Sequence, residues 1–279
     1  MGVFLLLASA TTYSTAGVFT KGVEVGVWAV IFWRGVFAGL ITTIWVASRR
    51  TFHPEFTGMG WPGLAVGMIG AAGTATFITS FTLTSIANVA VIYAMAPLIA
   101  AAIAWILIGE KAGRNTTLGM VISIGGVVVL LAGSVGSVNL IGDGLALTMT
   151  FAMATIMVIY RAHPQTPSAG PSVAQSLFLL PIALVFGSPF DIAIVEIAVL
   201  AIFGMLFAIA SVTLAEGAKR VPSGQAALLG TLETPLAPIL AFLFLSEIPP
   251  NLTILGGAIV LVAILISVRQ DKPKLNDNS

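Results

Sequence analysis

FTGMGWPGLAVGMIGAAGTATFITSFTLTSIANVAVIYAMAPLIAAAIAWILIG, from Phe56 to Gly109, is a run of 54 residues without one Asp, Glu, Lys or Arg. As a helix it would be about 80 Å long, against a hydrocarbon core of about 30 Å, so it must cross a bilayer at least twice. The Thr/Ser/Asn-bearing stretch Thr82–Asn88 is the natural turn between the crossings. Further uncharged runs cover Asn115–Gly142, Gly144–Tyr160, Ala162–Phe190 and Ile197–Ala215. Hydrophobic residues make up 58% of the chain and charged ones 8%, against roughly 25% charged in a soluble domain. Lipid leaves only helices or closed barrels, and these runs are too long and too continuously apolar for barrel strands. The pattern predicts an all-α membrane protein with ten transmembrane helices, at 3–20, 28–47, 61–81, 87–108, 115–134, 144–160, 173–188, 195–214, 224–245 and 252–268.

The chain also repeats itself. Gly67-Met68 recurs as Gly204-Met205, Glu110 as Glu247, and Leu118-Gly119 as Leu255-Gly256, all at an offset of 137 and without a gap. Twice that offset nearly spans the 279 residues, so one unit is duplicated end to end, the usual construction of a secondary transporter. The first five-helix repeat takes residues 1–137 and the second takes 138–268. Residues 269–279 form a polar tail, predicted to be disordered and cytoplasmic.

Loop charges set the orientation. With the N-terminus inside, the cytoplasmic connections and tail carry Arg49, Arg50, Lys111, Arg114, Arg161, Lys219, Arg220, Arg269, Lys272 and Lys274, whereas the far side holds only Lys21. Both termini are therefore expected in the cytoplasm. Five crossings per half is odd, so the second half enters upside down. The charges follow suit: Glu110-Lys111 and Arg114 become Glu247-Ile248 and Asn251, while the base-free loop at Thr82–Ala87 becomes Lys219-Arg220. The two repeats are expected to be inverted. Ala8-Ser9-Ala10 resembles a signal-peptidase site, but no Lys or Arg precedes it and its apolar stretch is short, which argues against a signal peptide. With no cysteine there is neither a disulfide nor a thiolate metal site.

Ala96-Pro97-Leu98, then Gly109-Glu110-Lys111, then Gly119 and Gly125-Gly126, are answered by Thr234-Pro235-Leu236, Ser246-Glu247 and Gly256-Gly257. In this order, and doubled, the elements resemble the drug/metabolite transporter superfamily, in its ten-helix EamA type, over the whole chain. The general run of the sequence is similar to YddG-type exporters of aromatic amino acids. The resemblance implies export from the bacterial cytoplasm across the inner membrane, through a cavity between the repeats. The second copy departs at Ile248-Pro249-Pro250, where the basic residue after Glu is missing.

Glu233, near the middle of the ninth helix, is the most costly residue in the chain. A carboxylate there costs about 2.5–3.5 kcal/mol on insertion scales. It is read as a proton-titrating group or a contact for a substrate ammonium, against the alternative of a protonated side chain that only packs. Prolines interrupt the two equivalent helices, Pro97 in the fourth and Pro235 and Pro238 in the ninth. They free the carbonyls of Tyr93, Thr231 and Thr234, and are read as hinges at the binding site or as kinks that shape the bundle. Asn88, Ile92 and Ala96 share one helix face, flanked by Tyr93 and Met95, and Gln225, Leu229 and Glu233 form the corresponding face. Thr74, Thr76 and Thr79 in helix three, with Ser211 and Thr213 in helix eight, add hydroxyls. Tyr13 and Tyr160 offer aromatic walls. The candidate substrate-binding set is Glu233, Tyr93, Asn88, Gln225, Met95, Thr76, Thr79, Tyr13, Tyr160 and Ser211. Arg34 is read instead as a snorkelling or ion-paired structural residue.

An enzyme is disfavoured. Both histidines, His53 and His163, fall in loops, no His-Glu-x-x-His motif occurs, and the four aspartates lie outside helix centres. The expected function is a secondary transporter exporting small amphipathic metabolites, amino acids foremost, by alternating access. An exporter of cationic drugs or other metabolites is the alternative, with a channel or a membrane-embedded enzyme behind it. No catalytic residue, cofactor, metal or nucleic-acid partner is expected. The partners are the substrate and the lipid bilayer; the glycine-rich fifth and tenth helices suggest close helix packing, with a homodimer surface there as the alternative.

Overall fold

The computed structural model describes residues 1–21, 23–84, 86–130, 139–246 and 251–269, and among these every regular element is a helix. The first half holds α1 (Gly2–Tyr13), α2 (Ala16–Lys21), α3 (Val27–Ser48), α4 (Phe52–Phe56), α5 (Gly60–Leu83), α6 (Ile86–Tyr93), α7 (Ala96–Ile108) and α8 (Arg114–Leu130). The second holds α9 (Leu140–Ala162), α10 (Ala169–Phe186), α11 (Ile194–Ala218), α12 (Ser223–Gly230), α13 (Glu233–Leu245) and α14 (Asn251–Val268). Among the described residues, eight segments are long and apolar enough to cross a membrane by length and composition, while α1 and α8 are shorter apolar helices. The expected first, fourth and ninth spans are each two helices in line, and α4 is a short extra helix in a loop. The expected repeat boundary, Glu247, and the tail from residue 270 lie outside the described residues.

The packing repeats at the offset seen in the sequence. Helix α1 lies on α11 as α9 lies on α5, and α3 lies on α11 as α10 lies on α5. The pairs α3 with α10 and α8 with α14 join equivalent helices of the two halves, and α7 packs on α12, the equivalent of its neighbour α6. Ser9, inside the stretch resembling a cleavage site, is buried and donates to the Ala210 carbonyl at 2.8 Å.

Glycines let α8 and α14 approach closely. A Cβ on Gly256 would lie 2.3 Å from the Leu130 amide nitrogen, and one on Gly119 would lie 2.8 Å from the Ala263 carbonyl oxygen. The close helix packing expected of these glycines is found within the chain, between α8 and α14. Gly256→Ala should therefore destabilise the detergent-solubilised protein by about 1–3 kcal/mol, because backbone cannot yield as a side chain can. Gly125→Ala, where a Cβ meets nothing within 4 Å, should leave the melting temperature unchanged.

Helix direction sorts the charges to the two ends of the bundle. Arg49, Arg50, Lys111, Arg114, Arg161, Lys219, Arg220 and Arg269 all lie at the end where α3, α7, α9, α11 and α14 finish and α8 begins. Asp143 and Glu196 lie at the opposite end, in the first turns of α9 and α11.

Candidate functional site

Three of the helices are interrupted near mid-length, and each interruption carries a residue of the candidate set. Tyr13 is the last residue of α1, Tyr93 the last of α6, and Glu233 the first of α13. Pro97 has no N–H to give the Tyr93 carbonyl, so the fourth span slips to a shorter bond from the Met95 amide to the Ile92 carbonyl, 3.1 Å. Pro235 does the same to Thr231, but that carbonyl is not left open, because the Thr234 amide takes it at 3.0 Å. The interruption after Tyr13 has no proline. There Thr11, Thr12, Ser14 and Thr15 donate their hydroxyls to the carbonyls of Leu7, Ala8, Thr11 and Thr12 at 2.6–2.8 Å, competing with the helix ladder. The span expected to be continuous over 3–20 is thus broken between Tyr13 and Ala16, at the hydroxyl-rich run Thr11-Thr12-Tyr13-Ser14-Thr15.

Glu233 and Tyr93 are hydrogen-bonding partners across the two proline-bearing interruptions. The Tyr13 hydroxyl lies 2.9 Å from Ser211 Oγ, and its ring meets Phe207 edge-on at 5.7 Å. Tyr13 also lies in the electrostatic field of both Arg34 and Glu233. Arg34 pairs with no acid among the described residues. Its guanidinium carbon stands 4.1 Å from the centre of the Phe207 ring and 5.6 Å from that of Phe203. Its Nε is buried without a hydrogen-bond partner. A guanidinium in mid-membrane costs about as much as a carboxylate; its apolar-looking neighbourhood in sequence hid the fact that it shares a ring with Tyr13.

Of the other candidates, Tyr160 adjoins this group and the rest make contacts elsewhere. Asn88 donates to Thr84 Oγ1 at 3.1 Å and to Asp143 Oδ1 at 3.4 Å, joining α6 to the start of α9. Gln225 donates to the Ser267 carbonyl at 2.5 Å, joining α12 to α14. Thr76 and Thr79 bond the carbonyls of Gly73 and Ala75 one turn back, and Met95 is exposed on the bundle surface. Tyr160 is buried and lines a small cavity with Tyr13, Ser211, Val66, Met153 and Gln175. That cavity measures about 40 Å³, far below the roughly 300–1,000 Å³ of a ligand pocket. Among the described residues no cluster of His, Asp or Glu could hold a metal.

The EamA-like transporter family matches this sequence twice, over residues 1–132 and 136–269. The chain belongs to that family. It is thus a multi-pass membrane protein of a family that moves small solutes. A solved structure described only as a crystal structure of a protein superposes with a TM-score of 0.83 at 17% identity, over 96% of this chain and 97% of that one. At that identity the likeness concerns the fold alone. No curated protein matches the sequence.

In this EamA-like transporter the basic end of the bundle is tied shut by polar contacts that join five helices and one loop. Glu110, just past α7, accepts from Arg161 Nε at 2.6 Å and from the Ser223 amide at 2.7 Å, linking the ends of α7 and α9 to the start of α12. Arg161 Nη1 reaches the Lys219 carbonyl at 3.3 Å. Lys219 Nζ donates to Glu216 Oε1 at 2.6 Å and to Ser168 Oγ at 2.7 Å, and Ser168 itself donates to Glu216. Glu55 accepts from the amides of Ala169 and Gly170 at 3.0 and 3.1 Å, a carboxylate on the N-terminus of α10. The small cavity lies directly behind this layer. Its residues Tyr160, Ser172 and Leu214 belong to the same ends of α9, α10 and α11.

Proposed function

We propose that this protein is a secondary transporter that exports small amphipathic metabolites, amino acids foremost, from the bacterial cytoplasm across the inner membrane by alternating access. The observation that carries the reading is the convergence of three helix interruptions on Tyr13, Tyr93 and Glu233. Interrupted helices meeting at mid-membrane between two repeats are the usual way to build a substrate site that both sides can reach. In this reading the ten spans form two inverted five-helix repeats. The basic end, with both termini, faces the cytoplasm. A 40 Å³ cavity behind a polar seal is then a closed inward gate, and substrate enters when it opens.

Counterflow tests the function. Liposomes holding the purified protein and loaded with unlabelled L-phenylalanine should take up labelled L-phenylalanine faster than empty ones, with saturation. Uptake that never saturates and ignores the internal load would make the protein a channel. Topology has its own test, helped by the absence of native cysteine. Ser188→Cys, in the exposed connection between α10 and α11, should react with a membrane-impermeant maleimide in intact cells. Thr57→Cys, exposed between α4 and α5, should react only after permeabilisation. The opposite pattern inverts the orientation.

A further inference from the structure

Arg34 carries a buried Nε without a hydrogen-bond partner. It stands on the eighth residue of α3, in the same transverse zone as Tyr13, Tyr93 and Glu233. Phe203, Phe207 and Ser211 follow one another at four-residue spacing on α11 and form a single buried stripe. The Arg34 guanidinium covers its two phenyl rings, and Tyr13 covers Phe207 and bonds to Ser211. Stacking supplies the cation with a platform but satisfies none of its five donors. No carboxylate among the described residues pairs with it, and Nε is both buried and unmet. Glu233 makes no ion pair with Arg34 either. Both charges act electrostatically on Tyr13.

A planar fork of donors held by aromatic rings, with no internal acid, fits a carboxylate from outside the chain. The geometry points to Arg34 as the carboxylate subsite of the transported molecule, with Glu233 and Tyr93 taking the ammonium. This rests on the proposed transport function and narrows its substrates to zwitterionic amino acids with apolar or aromatic side chains. Those side chains lie against the Phe203–Phe207 stripe. A bare cation leaves Arg34 unsatisfied and adds repulsion, so cationic amphiphiles are rejected by the same residue that holds the zwitterion.

The experiment uses full-length protein, wild type and Arg34→Gln and Arg34→Lys, with three probes: L-phenylalanine, L-phenylalaninamide and 3-phenylpropionate. Binding is read from thermal stabilisation in detergent, and transport from counterflow in liposomes. Wild type should bind phenylalanine best and the amide worst. Arg34→Gln should weaken phenylalanine and 3-phenylpropionate about tenfold to a hundredfold, leave the amide unchanged or improved, and Arg34→Lys should restore part of the loss. Equal losses for all three probes, or none, overturn the assignment while leaving the transport function standing if wild-type counterflow is present. Arg34-dependent binding of 3-phenylpropionate without counterflow supports the subsite and removes the transport reading. No binding of any probe to the wild type overturns both.

Discussion

Glu233→Gln is expected to lower amino-acid counterflow by about one to two orders of magnitude while leaving the melting temperature within a few degrees of wild type. The substitution keeps the size of the side chain and its capacity to meet the Tyr93 hydroxyl, so the packing around the start of α13 is preserved. Only the negative charge is lost. A hydrogen bond to a charged group contributes about 1.5–3 kcal/mol, which corresponds to about 10- to 150-fold in affinity. The repeat partner of Glu233 is Ala96, buried at the start of α7, so the other half has no carboxyl to take over. Tyr93→Phe should cost less, because it removes one partner of the carboxyl and not the charge. A glutamine variant with the wild-type rate and the wild-type pH profile would reduce Glu233 to a packing residue.

The second large effect is expected at the basic end. Glu110→Gln should raise the rate at which a small maleimide modifies a cysteine placed at Ser172 by about tenfold or more. Ser172 is buried behind the seal and lines the small cavity, and the chain brings no other thiol. Glu110 holds both Arg161 and the Ser223 amide, so its neutralisation loosens three helix ends at once. A bias of about 1.4 kcal/mol between closed and open states is tenfold in accessibility, well within what a charge-assisted contact contributes. Arg161→Gln should have a similar effect. The double substitution should add little to either single one, since both remove the same contact. Unchanged labelling in all three would show that these ion pairs decorate the surface and do not hold the gate.

Much of the architecture was legible because lipid imposes a simple rule on composition. Phe56–Gly109 has to cross twice, and the gapless offset between Glu110 and Glu247 announces a duplication whatever the three-dimensional packing. The paired prolines, Pro97 and Pro235, located two of the three interruptions through their missing donors. The third escaped because hydroxyl side chains at Thr11–Thr15 act by competing for carbonyls, a tendency that many transmembrane Ser and Thr residues show without breaking anything. Asn88 and Gln225 were placed on the substrate stripe by spacing along their own helices. Spacing says which residues share a face and not which helix that face meets, and theirs meet Asp143 and Ser267. The ring partners of Arg34 were hidden for the same reason, since Phe203 and Phe207 are some 170 residues away in the chain.

The sequence by itself determined the solvent this chain lives in, its helical class and its twofold repetition. These follow from local quantities: apolar length, charge position and residue identity at a constant offset. The tertiary structure alone decided which polar residues share the interior. It brought Tyr13, Tyr93, Glu233 and Arg34 into one zone, gave Glu110 to Arg161 and Ser223, and turned the glycines of α8 and α14 inward on each other. In the bilayer a polar side chain must find its partner on another helix, and the identity of that helix is a property of the packed bundle.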